Sequence, residues 1–288
     1  MKEKAIKAMF MVLGFASIVC LLAISITLIF QSLPFFKEVD LKNFFMGKYW
    51  YPTCEPPDFG LVPLFLGSLL VTVGALAVSV PVGIGSALYL SEFAPPWLKE
   101  VLKPTIEILA SVPSVVFGFF GMVAVAPVVQ KLFNLPTGLN AFTASVVMGI
   151  MIIPVIVSIS EDALSSIPRT YREASLALGA TKWETTIKVV FPAAISGVVT
   201  AILLGMGRAI GETMTVLMVA GGAAVIPKSF FQPVRPITST IAAEMGEVPF
   251  GSLHYHALFA LAVVLFVFTF IINLIAEQIT KRYKQNLS

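Results

Sequence analysis

Long apolar segments separated by short polar ones dominate this sequence. Charged residues make up only 12% of its 288 residues, whereas soluble domains carry roughly a quarter. Most of the surface of such a chain must therefore face lipid. Because a membrane span needs about 20 apolar residues, the length allows about six spans with their loops and no extended soluble domain.

The apolar segments predict an all-α membrane protein with six spans. The first segment follows three lysines, but it is too long for a signal-peptide core and lacks a small-x-small cleavage site, so we expect an uncleaved helix. Prolines within the second, third and fourth spans indicate helices that are kinked or that line a path. The expected spans cover residues 9–30, 67–90, 106–129, 142–160, 193–225 and 257–279, and the fifth is long enough to form two pieces.

The distribution of Lys and Arg orients these spans. Twelve of the 19 basic residues lie in the two termini and in residues 91–104 and 161–192, against six in the other loops. The richer side is expected to be cytoplasmic, which places both termini inside, as an even number of spans requires. Residues 31–62 and 227–253 would then lie outside.

A polar segment between the fourth and fifth spans, residues 171–192, has the signals of two short helices joined by a tight turn. Pro168 suits a first helical turn, and Gly179 suits the left-handed position that ends a helix. Thr181 and Glu184 have the spacing of a capping box that begins the next helix. Such a unit could enter the groove of a partner; the alternative is a hairpin that packs on its own bundle.

Two charged residues, Arg208 and Glu212, fall within the fifth span. A charge at mid-bilayer costs at least about 2.5–3.5 kcal/mol, so such residues usually face a bundle interior or a water-filled path. Their spacing of four predicts one shared helix face. A guanidinium matches phosphate-like oxygens, so Arg208 is a candidate contact for a transported oxyanion; the alternative is a structural or gating pair with Glu212.

The neighbours of these charges are small or carry hydroxyl groups. Gly207 and Gly211 form a Gly-x-x-x-Gly pattern, which predicts the close approach of another helix. Thr213 adds a hydroxyl at the same place.

Other candidate sites are weak. His254 and His256 lack further ligands for a metal, and Cys20 and Cys54 form neither a disulfide framework nor a ligand cluster. Neither a phosphate-binding P-loop nor a nucleophile–base set is evident, so we expect no ATP site, no catalytic residues and no bound cofactor. No basic run suggests nucleic acid. Glu161 and Asp162, at an inner helix end, are expected to be solvated. Glu244 and Glu247, in an outer loop, either contact a binding protein or are solvated.

The polar segment resembles the "EAA" loop that permeases of ABC importers offer to their ATPase subunits. Residues 173–175, Glu-Ala-Ser, lie where that motif has Glu-Ala-Ala, and Gly179 and Pro192 follow at its offsets. The resemblance implies a coupling loop at about 163–191 that docks on an ATPase. The coupling residues it implies are Glu173, Ala174, Ser175, Gly179 and Ala180.

Further motifs are similar to the phosphate-specific members of that family. Residues 207–213, Gly-Arg-Ala-Ile-Gly-Glu-Thr, and 111–118, Ser-Val-Pro-Ser-Val-Val-Phe-Gly, resemble motifs of those permeases. Residues 241–247 and 251–260 resemble the PstC-type subunit rather than its PstA sister. The pathway residues implied are Ser111, Ser114, Arg208, Glu212 and Thr213.

The resemblance implies a type I ABC importer permease and a division of the chain. Residues 1–62 would hold an N-terminal span and an outer loop, 63–280 the permease core, and 281–288 a cytoplasmic tail. The protein would be a non-enzymatic subunit of a phosphate importer in the plasma (inner) membrane of a prokaryote. The implied partners are the lipid bilayer, a PstA-type permease, a cytoplasmic PstB-type ATPase dimer that binds ATP and Mg²⁺, and an extracytoplasmic PstS-type phosphate-binding protein.

Alternatives remain at this point. The permease could carry sulfate, molybdate or phosphonate. A secondary transporter would use an ion gradient instead of an ATPase, and inverted repeats would favour it, but no clear internal repeat is present. A membrane enzyme is disfavoured because a catalytic set is missing.

Overall fold

The computed structural model describes residues 2–285 and is mostly helical. Within these residues, six helices are long and apolar enough to cross a membrane, so the predicted six-span bundle is confirmed. The last three residues of the predicted tail, 286–288, lie outside the described part. The candidate spans are Met9–Glu38, Val62–Phe93, Ser114–Leu132, Ala141–Ser165, Lys182–Gly211 and Leu253–Gln278.

Short helices and breaks connect these spans. Three spans contain a π-helical turn, at Tyr89–Phe93, Gly121–Val125 and Thr186–Val190. The outer loop carries an antiparallel hairpin, β1 (Trp50–Tyr51) with β2 (Asp58–Phe59). The helices are α1 (Lys2–Glu38), α2 (Leu41–Met46), α3 (Val62–Leu88), α4 (Pro96–Ser111), α5 (Ser114–Phe120), α6 (Ala126–Leu132), α7 (Ala141–Ser165), α8 (Arg169–Ala177), α9 (Lys182–Thr185), α10 (Phe191–Gly211), α11 (Met214–Val219), α12 (Ile237–Glu244) and α13 (Leu253–Gln285).

Helix α7 forms the centre of the bundle. It packs along α3 and α10, and 61% of its most apolar stretch is buried, against none of α1. Small residues make this contact possible, because a Cβ added at Gly149 would lie 3.0 Å from the side chain of Val78 on α3. Met148, Met151 and Ile152 fill the core around it. Removing such a side chain would cost about 2–5 kcal/mol.

The outer side of the bundle has its own aromatic core. Phe35 at the end of α1 makes edge-to-face contacts with Phe44 and Phe59, and Trp50 packs edge-on against Phe59. Leu258 and other buried side chains of α13 complete this cluster. The outer loop is therefore held onto α1 and α13 instead of extending freely into solvent.

The third span begins later than expected. It starts at Ser114, not near residue 106, because the chain breaks at Val112 and Pro113, both extended. Proline cannot donate a backbone hydrogen bond, and it pushes the residue before it out of the helical region. Residues 96–111, part of which the sequence assigned to a loop, form the amphipathic helix α4.

The fifth span begins earlier than expected and is broken near its outer end. One helical run extends over Lys182–Gly211, so Pro192 lies inside the run instead of starting it. The π-helical turn directly before Pro192 lies where the missing N–H interrupts the regular hydrogen-bond ladder. After Gly211 the chain is extended at Glu212 and restarts as α11, which confirms the expectation of two pieces.

Candidate functional site

The polar segment between the fourth and fifth spans folds as two helices around a tight turn, here called the coupling hairpin (residues 169–185). Helix α8 begins directly after Pro168, which precedes the first turn instead of lying in it. Gly179 has φ of +86°, as predicted. Its N–H donates to the Leu176 carbonyl at 2.9 Å, and the Ala180 N–H donates to the Ser175 carbonyl at 3.3 Å. This pair of bonds is the Schellman ending of a helix.

The predicted capping box is present at the start of α9. The Glu184 N–H donates to the Thr181 hydroxyl at 3.2 Å, and the Thr181 N–H donates to the Glu184 carboxylate at 3.0 Å. The hydroxyls of Ser175 and Thr185 are 2.9 Å apart and join the two helices. The turn is therefore fixed on both sides and can move as one body.

One face of the coupling hairpin is open. Glu173 and Ala174 are exposed, and Leu176 and Leu178 keep 48% and 89% of their surface accessible. Leu178 was not among the predicted coupling residues, although an apolar side chain at the tip of a polar loop is a visible sequence signal. Ser175 and Ala180 are half-buried, so their contribution is to the turn and not to the open face.

Arg172 fixes the coupling hairpin to the spans, a role that the sequence did not reveal. Its guanidinium donates to both carboxylate oxygens of Glu92, at 2.6 and 3.1 Å. It also donates to the carbonyls of Leu164 and Ile167, at 3.0 and 2.6 Å, at the end of α7. A cation that caps a helix C-terminus interacts favourably with the helix dipole, so this side chain joins α8 to two spans at once.

Glu161 was expected to be solvated, and this expectation is wrong. Its side chain is 2% exposed and lies 2.5 Å from Lys99 and 2.8 Å from Lys103, both on α4. The Ser165 hydroxyl donates to it at 2.6 Å. Asp162 does stay exposed and contacts Lys103 at 2.5 Å. Hydrogen bonds to Asp162 and Glu161 raise the pKa of Lys103 above its usual value, so α4 is bound to α7 by charge.

All five predicted pathway residues belong to two adjoining helix breaks, here called the broken-helix crossing (residues 110–115 and 208–215). The Thr215 hydroxyl donates to the Ser114 carbonyl at 3.0 Å. The guanidinium of Arg208 approaches the Ala110 carbonyl at 3.4 and 3.5 Å. Non-helical backbone at membrane depth is tolerated where it is buried in protein or lines a cavity. Arg208 approaches a carbonyl in the last turn of α4, where helix ends leave C=O groups without an intrahelical partner.

Arg208 and Glu212 have different partners in the structure. Glu212 lies beyond the end of α10, and its carboxylate accepts from the Thr215 N–H at 3.0 Å. It therefore caps the start of α11, while Thr238 donates to its backbone carbonyl at 2.6 Å. Among the described residues, no ion pair joins Arg208 to Glu212, because the helix ends between them.

Comparison with known proteins decides the family. Residues 79–285 match the family described as binding-protein-dependent transport system inner membrane component. The chain belongs to this permease family. It is 39% identical to the probable ABC transporter permease protein YqgH of Bacillus subtilis, over 84% of this chain and 78% of that one. It is 35% identical to the phosphate transport system permease protein PstC of Haemophilus influenzae, over 98% and 93%, so the predicted resemblance to PstC-type permeases is confirmed.

Solved structures of ABC transporters share the fold of this permease. A bacterial alginate ABC transporter in complex with an alginate pentasaccharide-bound periplasmic protein matches with a TM-score of 0.63 at 12% identity, covering 94% of both chains. The inward-facing MetNI methionine ABC transporter matches with a TM-score of 0.56 at 20% identity, covering 75% of this chain and 91% of that one. The predicted ABC importer permease fold is confirmed.

The face of the permease around Gly207 and Gly211 is open. A Cβ at either glycine would meet nothing within 4 Å, whereas one at Gly205 would lie 3.0 Å from Ile152. Among the residues that the structure describes, none makes the close helix approach predicted for this pattern. Ser111 is also exposed, so the broken-helix crossing borders an open surface of the permease.

A second polar cluster closes the outer side of the permease. The carboxylate of Glu244 accepts from Arg235 at 2.6 Å and from Trp50 at 3.1 Å, and it lies 2.8 Å from His254. Glu244 is thus half-buried and paired, not solvated, while Glu247 is exposed. His256 contacts the Gln31 carbonyl instead, at 2.7 Å. Nowhere in the described residues do three His, Cys, Asp or Glu side chains gather as a metal site would need.

Proposed function

We propose that this permease is the PstC-type subunit of an ATP-driven phosphate importer and forms part of its translocation path. The observation that carries the proposal is the position of Arg208 at the crossing of two broken helices, in a chain 35% identical to a phosphate permease over nearly its full length. Discontinuous helices near the bilayer midplane form the substrate sites of many transporters.

The chemistry of Arg208 supports contact with the anion. A guanidinium has five N–H donors, and the contacts of Arg208 with Ala110 are long, at 3.4 and 3.5 Å. Such a side chain can turn part of its fork to an oxyanion and bind two oxygens at once. Ser111, Ser114 and Thr213 would add hydroxyls, and Glu212 would hold the start of α11.

The assembly would contain several further proteins. We infer a PstA-type permease against the open face at Gly207 and Gly211, where close helix packing is possible. A PstB-type ATPase dimer, which would bind ATP and Mg²⁺, would accept the open face of the coupling hairpin. An extracytoplasmic PstS-type phosphate-binding protein would deliver phosphate to the outer side.

We infer an orientation in the plasma (inner) membrane of a prokaryote with both termini and the coupling hairpin in the cytoplasm. The excess of Lys and Arg on that side supports it. Single cysteines at exposed Leu178 and Lys228, in a background lacking Cys20 and Cys54, test it with an impermeant maleimide on intact cells. The cysteine at 228 should react and the one at 178 should not; the reverse pattern would contradict the orientation.

Uptake by the reconstituted complex tests the substrate. Radiolabelled phosphate should enter proteoliposomes only when ATP is present on the side of the membrane that carries the ATPase. Sulfate or molybdate should compete poorly with phosphate. An importer of sulfate, molybdate or phosphonate would reverse this competition order. Uptake driven by an ion gradient without ATP would reject the proposal.

A further inference from the structure

Polar contacts link the coupling hairpin to the ends of two spans, close to Glu161. Arg172 of the coupling hairpin forms a salt bridge with Glu92 at the end of the second span. The Ser91 hydroxyl donates to Glu92 at 3.0 Å and lies 3.4 Å from the hydroxyl of Ser165 on α7. Ser165 in turn donates to Glu161 at 2.6 Å. Each of these two hydroxyls has a single O–H and spends it on a carboxylate, so no hydrogen bond joins Ser91 to Ser165. The hairpin instead reaches α7 through Arg172, which donates to the Leu164 carbonyl at 3.0 Å, three residues from the buried carboxylate of Glu161.

The charged contacts of Glu161 extend to α4. Glu161 contacts Lys99 and Lys103, one helical turn apart on α4. Helix α4 stays helical to Ser111, and Ala110 in its last turn accepts the contacts from Arg208. Lys103 and Ala110 are seven residues apart, a rise of about 10 Å in an α-helix. One helix, with Pro104 inside it, therefore has the charged contacts near its start and the broken-helix crossing at its end.

We propose that Glu161 is a positioning residue that makes α4 follow the coupling hairpin, so that hairpin movement shifts the Ala110 carbonyl relative to Arg208. The inference rests on the proposed ATP-driven transport. It adds a mechanical connection between the coupling hairpin and the broken-helix crossing. A buried carboxylate with two lysines and a hydroxyl has few alternative arrangements, since leaving it unpaired is strongly unfavourable. The Arg208 contacts are long, so a small displacement of α4 suffices to break them and free N–H groups for the anion.

A distance measurement tests this directly. Spin labels at exposed Thr105 on α4 and Leu204 on α10, in the full complex without Cys20 and Cys54, report the separation of the two helices. We expect the separation to change when ATP is trapped on the ATPase, and Glu161→Gln to abolish that change while the complex still assembles. Glu107→Gln, at an exposed carboxylate of the same helix, is the matched control and should keep the change.

Transport provides the second readout. We expect Glu161→Gln to lower phosphate transported per ATP hydrolysed by about fivefold or more, the lower range of couplings between distant sites. A variant with an unaltered ratio and an unaltered distance change would overturn the proposal. If Glu161→Gln does not assemble, the triple variant with Lys99→Gln and Lys103→Gln leaves no buried charge unpaired, since Asp162 is exposed. This variant should lose the distance change, and keeping it overturns the proposal.

The two proposals can fail separately. The distance change requires nucleotide and an ATPase but no phosphate. If the wild-type complex takes up another anion and Glu161→Gln still removes the distance change, the positioning role stands and the phosphate assignment fails. If phosphate uptake is confirmed and Glu161→Gln leaves both readouts intact, the positioning role fails alone.

Discussion

The coupling hairpin and the broken-helix crossing are both breaks between two helices, but they are built differently. In the hairpin, the bonds that fix the turn join residues within ten positions of each other, from Ala180 to Ser175 and from Thr185 to Ser175. At the crossing, the contacts join residues 98 and 101 positions apart, from Arg208 to Ala110 and from Thr215 to Ser114.

This difference fits two mechanical roles. A turn closed by its own local bonds keeps its shape when its surroundings move, so the hairpin can transmit a rigid-body movement. A site made of two different spans changes whenever those spans shift. The permease thus has an invariant part in the coupling hairpin and a deformable part at the broken-helix crossing, and the following variants test that contrast.

The largest effect is expected from the open face of the hairpin. Glu173→Lys combined with Ala174→Asp should leave membrane insertion and the turn intact, because both side chains are exposed. It should abolish co-purification of the ATPase and, with it, uptake. The matched control is Glu247→Lys with Ala242→Asp on the outer side, which should retain the ATPase. Unchanged association in the first variant would remove the docking role.

The next largest effect is expected from Arg208. Arg208→Lys keeps the charge but loses the fork, so it should retain partial uptake, while Arg208→Gln should abolish uptake in an assembled complex. Because Glu212 caps α11 instead of pairing with Arg208, adding Glu212→Gln should give no rescue. Substantial uptake by that double variant would show that the two charges act as a pair.

A smaller effect is expected where the hairpin meets the spans. Arg172→Gln removes the bonds to Glu92 and to the carbonyls of Leu164 and Ile167, and hydrogen bonds to charged groups contribute about 1.5–3 kcal/mol. Hydrogen exchange of the α8 amides should therefore accelerate by about tenfold or more, since 1.4 kcal/mol is a factor of ten. Arg169→Gln, at an exposed residue, should change exchange little; equal effects would mean that Arg172 is not the tether.

The smallest effect is expected from a single hydroxyl at the crossing. Thr215→Val removes the bond from the buried Thr215 hydroxyl to the Ser114 carbonyl, which should lower the free energy of unfolding by about 0.5–1.5 kcal/mol, the usual net contribution of one hydrogen bond. Thr213→Val, whose hydroxyl bonds to the nearby Gly211 carbonyl at 3.3 Å, should cost less. Thermal unfolding in detergent compares them, and a Thr213→Val loss as large as that of Thr215→Val would argue against the long-range bond.

Local sequence signals were sufficient to predict much of the fold. The six spans follow from the length of the apolar segments, because a chain in lipid must satisfy its backbone within helices. The turn of the coupling hairpin follows from Gly179 and from the Thr181–Glu184 spacing, since a left-handed residue and a capping box act over a few positions.

Tertiary structure decided the features that depend on distant partners. Helical spacing placed Arg208 and Glu212 on one face, but the helix ends between them and Glu212 bonds to Thr215. The sequence predicts that Glu161 is solvated at a helix end, but two lysines of α4 contact it in the structure. The sequence by itself determined where helices form and how they end, because those energies are local; which charges meet, and where the spans break against one another, depended on contacts between residues tens of positions apart.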